Sequence, residues 1–287
     1  MLCIYHSRDL DGWMSAAIVK HIYGLDADEL LGWDYGDPIP EIGDVKVIMV
    51  DISFLPEQML EIAKRNGWRL LWIDHHISAI KAFNEFIGQG ETFCNAVLDT
   101  NKAACELTWE YFFPDQKMPE IVRLLGRYDC FGHKGTDEER KVLIFQYAAR
   151  ASLTNVEECH KALLSIKDEN IENWLNVGEG IYSYLCTEAK QKYAKRFDIN
   201  LDGYRFGCVN DWRLNPINFG IDYHKDGYDG FACFWYENGQ FTYSLYNDNG
   251  NVDCSILAKN RGGGGHKGAS GFRTKEIIVS SRIDDTK

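Results

Sequence analysis

No apolar run in the 287-residue chain approaches the roughly 20 residues that a membrane-spanning helix needs. Its start, MLCIYHSRDLDG, lacks a basic stretch followed by a long apolar one, so no signal peptide is expected. The nine cysteines are scattered, odd in number and free of any C-x-x-C pair. That pattern disfavours a disulfide framework or a structural zinc knot, and predicts reduced thiols in a cytoplasmic protein. Positive charge is scarce: 31 Lys and Arg against 43 Asp and Glu give a formal charge of −12. Sequence-independent grip on long duplex DNA comes from neutralising phosphates, so that class of partner is disfavoured. A short anionic substrate stays compatible, provided metal ions supply positive charge locally.

What is present is ordinary globular material, 45% hydrophobic and 26% charged, long enough for one large or two modest domains. Strand-like runs at 2–6, 30–35, 46–53, 69–76 and 92–99 alternate with helical patterns at 12–23, 55–66, 78–87, 102–113, 118–128 and 138–150. Continuous apolar strands alternating with amphipathic helices predict an α/β domain over residues 1–154, a parallel sheet with helices on both faces. Residues 155–197 read as a helical connector with neither Pro-rich nor Ser-rich stretches. From 198 to 287 the texture is aromatic and β-branched: YRFGCVN, then GFACFWYENGQFTYSLYND with a hairpin turn at ENGQ, then GFRTKEIIVS. One helix, 252–260, interrupts these strands and a smaller α/β domain is expected.

Polar residues collect where the parallel strands end. The first strand runs into HSRDLDG, with His6, Asp9 and Asp11; VIMV ends at Asp51; LLWI ends at Asp74, His75 and His76. Asp129 follows the helix IVRLLGRY. Ligands of open α/β sheets sit outside the carboxyl ends of the strands, so these groups are expected on one rim. Taken singly, an Asp at a strand end is often a helix cap or turn residue, and a lone His a satisfied structural one. Taken together, clustered carboxylates repel unless a cation sits among them. Mixed His and Asp ligands suit ions such as Mn²⁺, and the surplus beyond three or four ligands suggests two metals, a device for displacement at phosphorus.

The run GGGGHKGASGF over 262–272 also carries chemistry. Glycines after a helix let the backbone N–H groups of Gly263, Gly264 and Gly265 approach an anion, and His266 can donate to a phosphate. The order fits neither a Walker loop nor a dinucleotide fingerprint. Lys102 is either a substrate-phosphate contact or a helix-start surface residue. His21, His133, His160 and His224 read as structural or solvated.

HSRDLDG, VDIS at 50–53, DHH at 74–76 and RYD at 127–129 resemble the four motifs of the DHH phosphoesterases, and GGGGHKGASGF resembles the signature of the DHH-associated domain of their RecJ-like branch. By that resemblance His6, Asp9 and Asp51 hold one metal, and Asp11, Asp51, His75 and Asp129 the other, with Asp51 bridging. His76 then faces the scissile phosphate and Asp74 orients an imidazole. Where relatives often carry an Arg after the SL of the second domain, this chain has Tyr246, an aromatic able to stack on a base. The implied function is Mn²⁺-dependent hydrolysis of phosphate esters in short single-stranded oligonucleotides or small nucleotides, of the nano-RNase or 3′-phosphoadenosine-phosphate phosphatase kind. The substrate cleft is expected between the two domains, a homodimer is compatible, and neither a membrane nor long duplex nucleic acid is a partner. A cyclic-dinucleotide phosphodiesterase and a non-catalytic nucleotide sensor are the alternatives.

Overall fold

The structure, a computed structural model, describes residues 1–88, 90, 92–165, 171–212 and 214–278. It divides into two compact units, 1–181 and 182–287, so that the division falls inside a long helix.

In the first unit, strands β1 (Leu2–His6), β2 (Leu30–Trp33), β3 (Val47–Val50), β4 (Leu70–Asp74) and β5 (Asn95–Leu98) form one sheet in the order β2-β1-β3-β4-β5. Every pairing is parallel. Helices α1 (Leu10–Tyr23), α2 (Pro56–Arg65), α3 (Ile77–Ile87), α4 (Ala104–Phe112), α5 (Glu120–Asp129), α6 (Glu139–Ser152) and α7 (Val156–Ser165) cover it, and α8 (Ile171–Tyr193) runs into the second unit. The alternation of side chains explains why the strands read as unbroken apolar runs. Cys3, Ile48, Val50, Leu71 and Ile73 pack on one face with Met14 and Ile18 of α1 and residues of α4 to α7. Ile4, Val47, Met49, Leu70 and Trp72 pack on the other, with Met59 and Ile62 of α2 and Phe83 of α3. Each side chain so buried is worth about 1.5–3 kcal/mol, which fixes the register and with it the position of each strand end.

The pattern-based strands overshoot at their carboxyl ends. The run 46–53 stops at Val50 because Asp51 takes a left-handed backbone, φ 59. The run 69–76 stops at Asp74, and 30–35 stops at Trp33. The connector read over 155–197 holds two helices, α7 and α8, while 166–170 lie outside the described residues.

The second unit is a mixed sheet of β6 (Phe197–Leu201), β7 (Tyr204–Asn210), β8 (Gly230–Glu237), β9 (Gln240–Tyr246), β10 (Gly264–Gly265) and β11 (Ala269–Thr274), in the order β10-β11-β9-β8-β7-β6, with helix α9 (Cys254–Lys259). Leu257 and Ala258 of α9 pack on Leu245, Tyr243 and Phe272 of the sheet. The β8–β9 turn has left-handed Asn238 and Gly239, φ 49 and 80, the backbone that a two-residue hairpin demands. β6 begins at Phe197, the last residue of the connector read over 155–197, with Phe197, Ile199 and Leu201 alternating with Asp198 and Asn200. The end of the strand read over 271–280, residues 279 and 280, lies outside the described residues. Among the described residues no helix is long and apolar enough to cross a membrane, and all nine cysteines are free thiols.

Candidate metal centre

The strand order reverses direction between β1 and β3, and in doubly wound sheets this switch opens a crevice at the carboxyl ends. His6 closes β1 and Asp51 follows β3, so the two flank that crevice. His6 Nδ1 lies 2.9 Å from Asp9 Oδ2 and 3.5 Å from Asp51 Oδ2. The close entry of α1 depends on Gly12: a Cβ there would stand 2.1 Å from the His6 carbonyl oxygen. Asp9 caps α1, accepting from the Gly12 N–H at 2.9 Å with Oδ1, which leaves Oδ2 turned to His6. Here the cap and the candidate ligand are one residue.

The other half gathers at the end of β4. His75 Nε2 stands 3.3 Å from Asp51 Oδ1, 3.3 Å from Asp129 Oδ2 and 3.6 Å from Asp11 Oδ2. Asp129 is the last residue of α5. Asp11, in the first turn of α1, accepts from the backbone N–H groups of Ala104 (2.8 Å) and Cys105 (2.7 Å), and so caps α4 from 93 residues away. His6, Asp9 and Asp51 each offer a ligand atom within 4.8 Å of the others, and so do Asp11, His75 and Asp129.

Asp74 is fully buried. Its Oδ1 accepts from the N–H groups of His75 (2.7 Å) and His76 (3.2 Å) and lies 2.7 Å from His76 Nδ1. This bond fixes the ring of His76 and commits Nδ1. Asp51, His75 and His76 also form a possible trio of donors, with His76 Nδ1 3.9 Å from Asp51 Oδ1, but using Nδ1 there would cost the Asp74 bond.

Electrostatics marks the cluster as incomplete by itself. Burial, with the charge of Asp51, pushes Asp11 up to about 7. Burial, with the charge of Asp11, does the same to Asp129. Asp51 is raised by burial and by Asp9. Burial disfavours the charged imidazoles, yet the neighbouring carboxylates of Asp51 and Asp9 lift His6 to about 11, and those of Asp51 and Asp11 lift His75 to about 11. His76 rises to about 9 through Asp74, again against burial. Both Asp51 oxygens and His75 Nε2 are buried without a hydrogen-bond partner, because the neighbouring donors and acceptors are near but misaligned. Unpaired buried carboxylate oxygens cost several kcal/mol unless something compensates them. The donor set, carboxylates and imidazoles converging on shared gaps, fits a divalent cation.

Neighbours of the cluster escaped the sequence reading. Asp34 Oδ1 lies 3.5 Å from His6 Nε2, and Arg8 Nε donates to its Oδ2 at 2.8 Å. Treating 30–35 as strand interior hid Asp34; the strand's end at Trp33 is the signal that would have found it. Tyr35 follows, its ring 6.3 Å from His6 and 6.5 Å from His76.

Other candidates are placed differently. Lys102 is ion-paired with Glu110 at 2.7 Å. His133 is buried, its Nδ1 2.9 Å from the Arg127 carbonyl, and stacks on Tyr128; His224 bridges Asp248 and the Tyr228 carbonyl; His21 packs against Phe113 and His160. In the second unit, Gly263 donates its N–H to the Ala258 carbonyl at 2.9 Å, and a Cβ on it would meet the Gly271 oxygen at 2.0 Å. Gly263 therefore serves close packing rather than anion donation. Gly265, φ 132, faces Ser270 across the β10–β11 ladder, and a Cβ there would meet Ser270 Cα at 2.6 Å. His266 is exposed, its N–H spent on the Ala269 carbonyl at 2.7 Å. Tyr246 ends β9, paired with Phe231 and Ala269.

Residues 1–126 match the model of the DHH family, N-terminal domain. An uncharacterized protein of Acanthamoeba polyphaga mimivirus is 25% identical over 313 residues, spanning 98% of this chain and 70% of that protein. Two solved structures share the fold. A Vibrio pGpG-specific phosphodiesterase, PggH, is 13% identical with a TM-score of 0.55, covering 97% of this chain and 94% of its own. An exopolyphosphatase-related protein of Bacteroides fragilis is 12% identical with a TM-score of 0.52, covering 96% and 87%.

Proposed function

We propose that this chain, a DHH-family protein through its first 126 residues, is a divalent-metal-dependent phosphoesterase acting on short oligonucleotides or small nucleotides, with Mn²⁺ the preferred ion. The observation that carries this reading is Asp51: its two buried, unpartnered oxygens point to two different groups of donors. His6, Asp9 and Asp51 would hold one ion, and Asp11, Asp51, His75 and Asp129 the other. Two such ions, when bound, would supply Lewis acidity and lower the pKa of a water for attack at phosphorus.

The chain's own residues do the rest. Asp74 holds the His76 ring through Nδ1, so that its opposite edge can donate to a phosphoryl or leaving-group oxygen. Asp11 is locked by two backbone N–H groups, which lets His75 keep one orientation between Asp11, Asp51 and Asp129. Imidazole donors favour Mn²⁺ or Co²⁺ over Mg²⁺, which prefers oxygen ligands and retained water. The charge of −12 argues for short substrates. In the second unit we assign substrate binding to the GGGGH segment through His266 and the backbone of Gly264 and Gly265.

The test is hydrolysis by chelator-stripped protein, with and without Mn²⁺, of 3′-phosphoadenosine phosphate, of a linear dinucleotide such as the pGpG named for the Vibrio protein, and of a cyclic dinucleotide. Mn²⁺-dependent release of product from either of the first two is expected. Hydrolysis of the cyclic substrate alone would favour the cyclic-dinucleotide alternative. Folded, metal-loaded protein that binds all three and turns over none would be a sensor.

A further inference from the structure

We propose that Arg150 is a phosphate-binding residue of this centre, gripping non-bridging oxygens of the ester and of the released phosphate; the assignment rests on the phosphoesterase reading above. Arg150 lies in the last turn of α6. Its guanidinium carbon is 5.2 Å from the ring centre of Tyr128 and 5.6 Å from that of Tyr147. Tyr128 immediately precedes Asp129, whose carboxylate faces His75 at 3.3 Å, so the arginine is held at the edge of the acid cluster.

Arg150 combines a place beside the cluster with the lack of an acid partner. Arg8, Arg123, Arg140 and Arg205 each form an ion pair, whereas among the described residues no carboxylate lies within 4.0 Å of Arg150. Among the described residues its one hydrogen bond is long, Nη2 to the Tyr128 hydroxyl at 3.5 Å. Aromatic faces hold the guanidinium plane without consuming its N–H groups. The fork thus stays available for two parallel bonds to a phosphate, the geometry in which arginine surpasses lysine. Desolvation opposes the charge, but the fields of Tyr128, Tyr147, Asp9 and Asp129 outweigh it and keep the group protonated. In so acidic a chain an incoming anion meets repulsion from every exposed carboxylate, and a fixed cation at this edge offsets that repulsion beyond what the metals neutralise.

The experiment is titration of inorganic phosphate into Mn²⁺-loaded wild type, Arg150→Gln and Arg150→Lys by calorimetry, with Mn²⁺ affinity measured for each. Gln keeps the aliphatic stem between the two rings and removes the charge. Loss of charge-assisted bonds predicts phosphate binding weaker by roughly ten- to a hundredfold in Arg150→Gln, with partial recovery in Arg150→Lys. Mn²⁺ affinity should stay equal or rise, because a cation beside the metals has been removed. Phosphate affinity within twofold of wild type in Arg150→Gln, or a parallel fall in Mn²⁺ affinity, overturns the assignment. Because the readout is binding, a wild-type protein that binds Mn²⁺ and phosphate yet hydrolyses no ester would sink the phosphoesterase reading and leave Arg150 to be judged by its own titration.

Discussion

His75 Nε2 and Asp51 Oδ1 lie 3.3 Å apart, both buried and neither in a hydrogen bond. Nature seldom leaves such a pair unsatisfied, since each orphaned group bears its full desolvation cost. A cation between them resolves both at once. Asp51→Asn removes the charge that both halves of the cluster share. We expect kcat/KM to fall by roughly a hundredfold or more while the metal-free protein becomes more stable through relief of like-charge crowding. Assays in Mn²⁺ alongside thermal melts of stripped protein check both; near wild-type activity would count against a shared ligand.

The pH dependence of the stripped protein follows from the same crowding. Asp11 and Asp129 sit at about 7, and His76, His6 and His75 at about 9, 11 and 11, all above their unfolded values. The folded state therefore binds protons more tightly than the unfolded one, and that stabilisation is lost as pH rises through the folded values. Tm of the metal-free protein should fall steadily from about pH 6.5 to 9. Saturating Mn²⁺ should flatten the slope, since the ions take the place of the protons. A Tm of stripped protein that is level or rising over this window would contradict the electrostatic account.

Asp74 Oδ1 holds the His76 ring at Nδ1, 2.7 Å away. Asp74→Ala should lower kcat by roughly ten- to a hundredfold, the range for partners that orient an active imidazole, with KM changed much less. It should also shift the basic limb of the kcat–pH profile downward, because Asp74 is what raises His76. An unchanged pH profile would show that the bond serves only the strand end.

Much of this centre is legible in the sequence, and for a physical reason. In a parallel sheet every carboxyl end faces the same rim, so His6, Asp51 and His75 need only be read as strand ends to be brought together. What lies outside that rule was hidden. The left-handed turn at Asp51 is invisible to apolar periodicity, which is why the strand pattern runs three residues too far. Asp11's hold on α4 and Arg150's place beside Tyr128 are contacts between helices distant in sequence, and no spacing encodes them. The glycine run suggested an anion nest, yet Gly263 is demanded by a carbonyl 2.0 Å from where its Cβ would stand.

Gly12 tests the geometry of the first turn. A methyl group in place of its hydrogen would collide with the His6 carbonyl, so Gly12→Ala must push α1 away from β1. We expect a loss of about 1–3 kcal/mol in stability. Activity should fall further than stability alone explains, because Asp9 and Asp11 move with the helix. Denaturant unfolding together with Mn²⁺ titration separates the two effects; a variant as stable and as tight for Mn²⁺ as wild type would show that α1 has room to spare.

His266→Ala addresses the second unit. If its side chain contacts a substrate phosphate, kcat/KM for nucleotides should fall roughly ten- to a hundredfold, the worth of one charge-assisted bond. Bis-p-nitrophenyl phosphate, a small generic ester, should lose much less. Equal losses on both substrates would place His266 in folding or at the metals.

A shared Asp51 ligand is tested by the number of Mn²⁺ ions bound per chain, counted by titration into chelator-stripped wild type and Asp51→Asn while ester hydrolysis is followed. We expect two ions per wild-type chain, hydrolysis appearing only as they bind, and loss of at least one ion in Asp51→Asn. Full hydrolysis in excess chelator, or wild-type stoichiometry and affinity in Asp51→Asn, would contradict it.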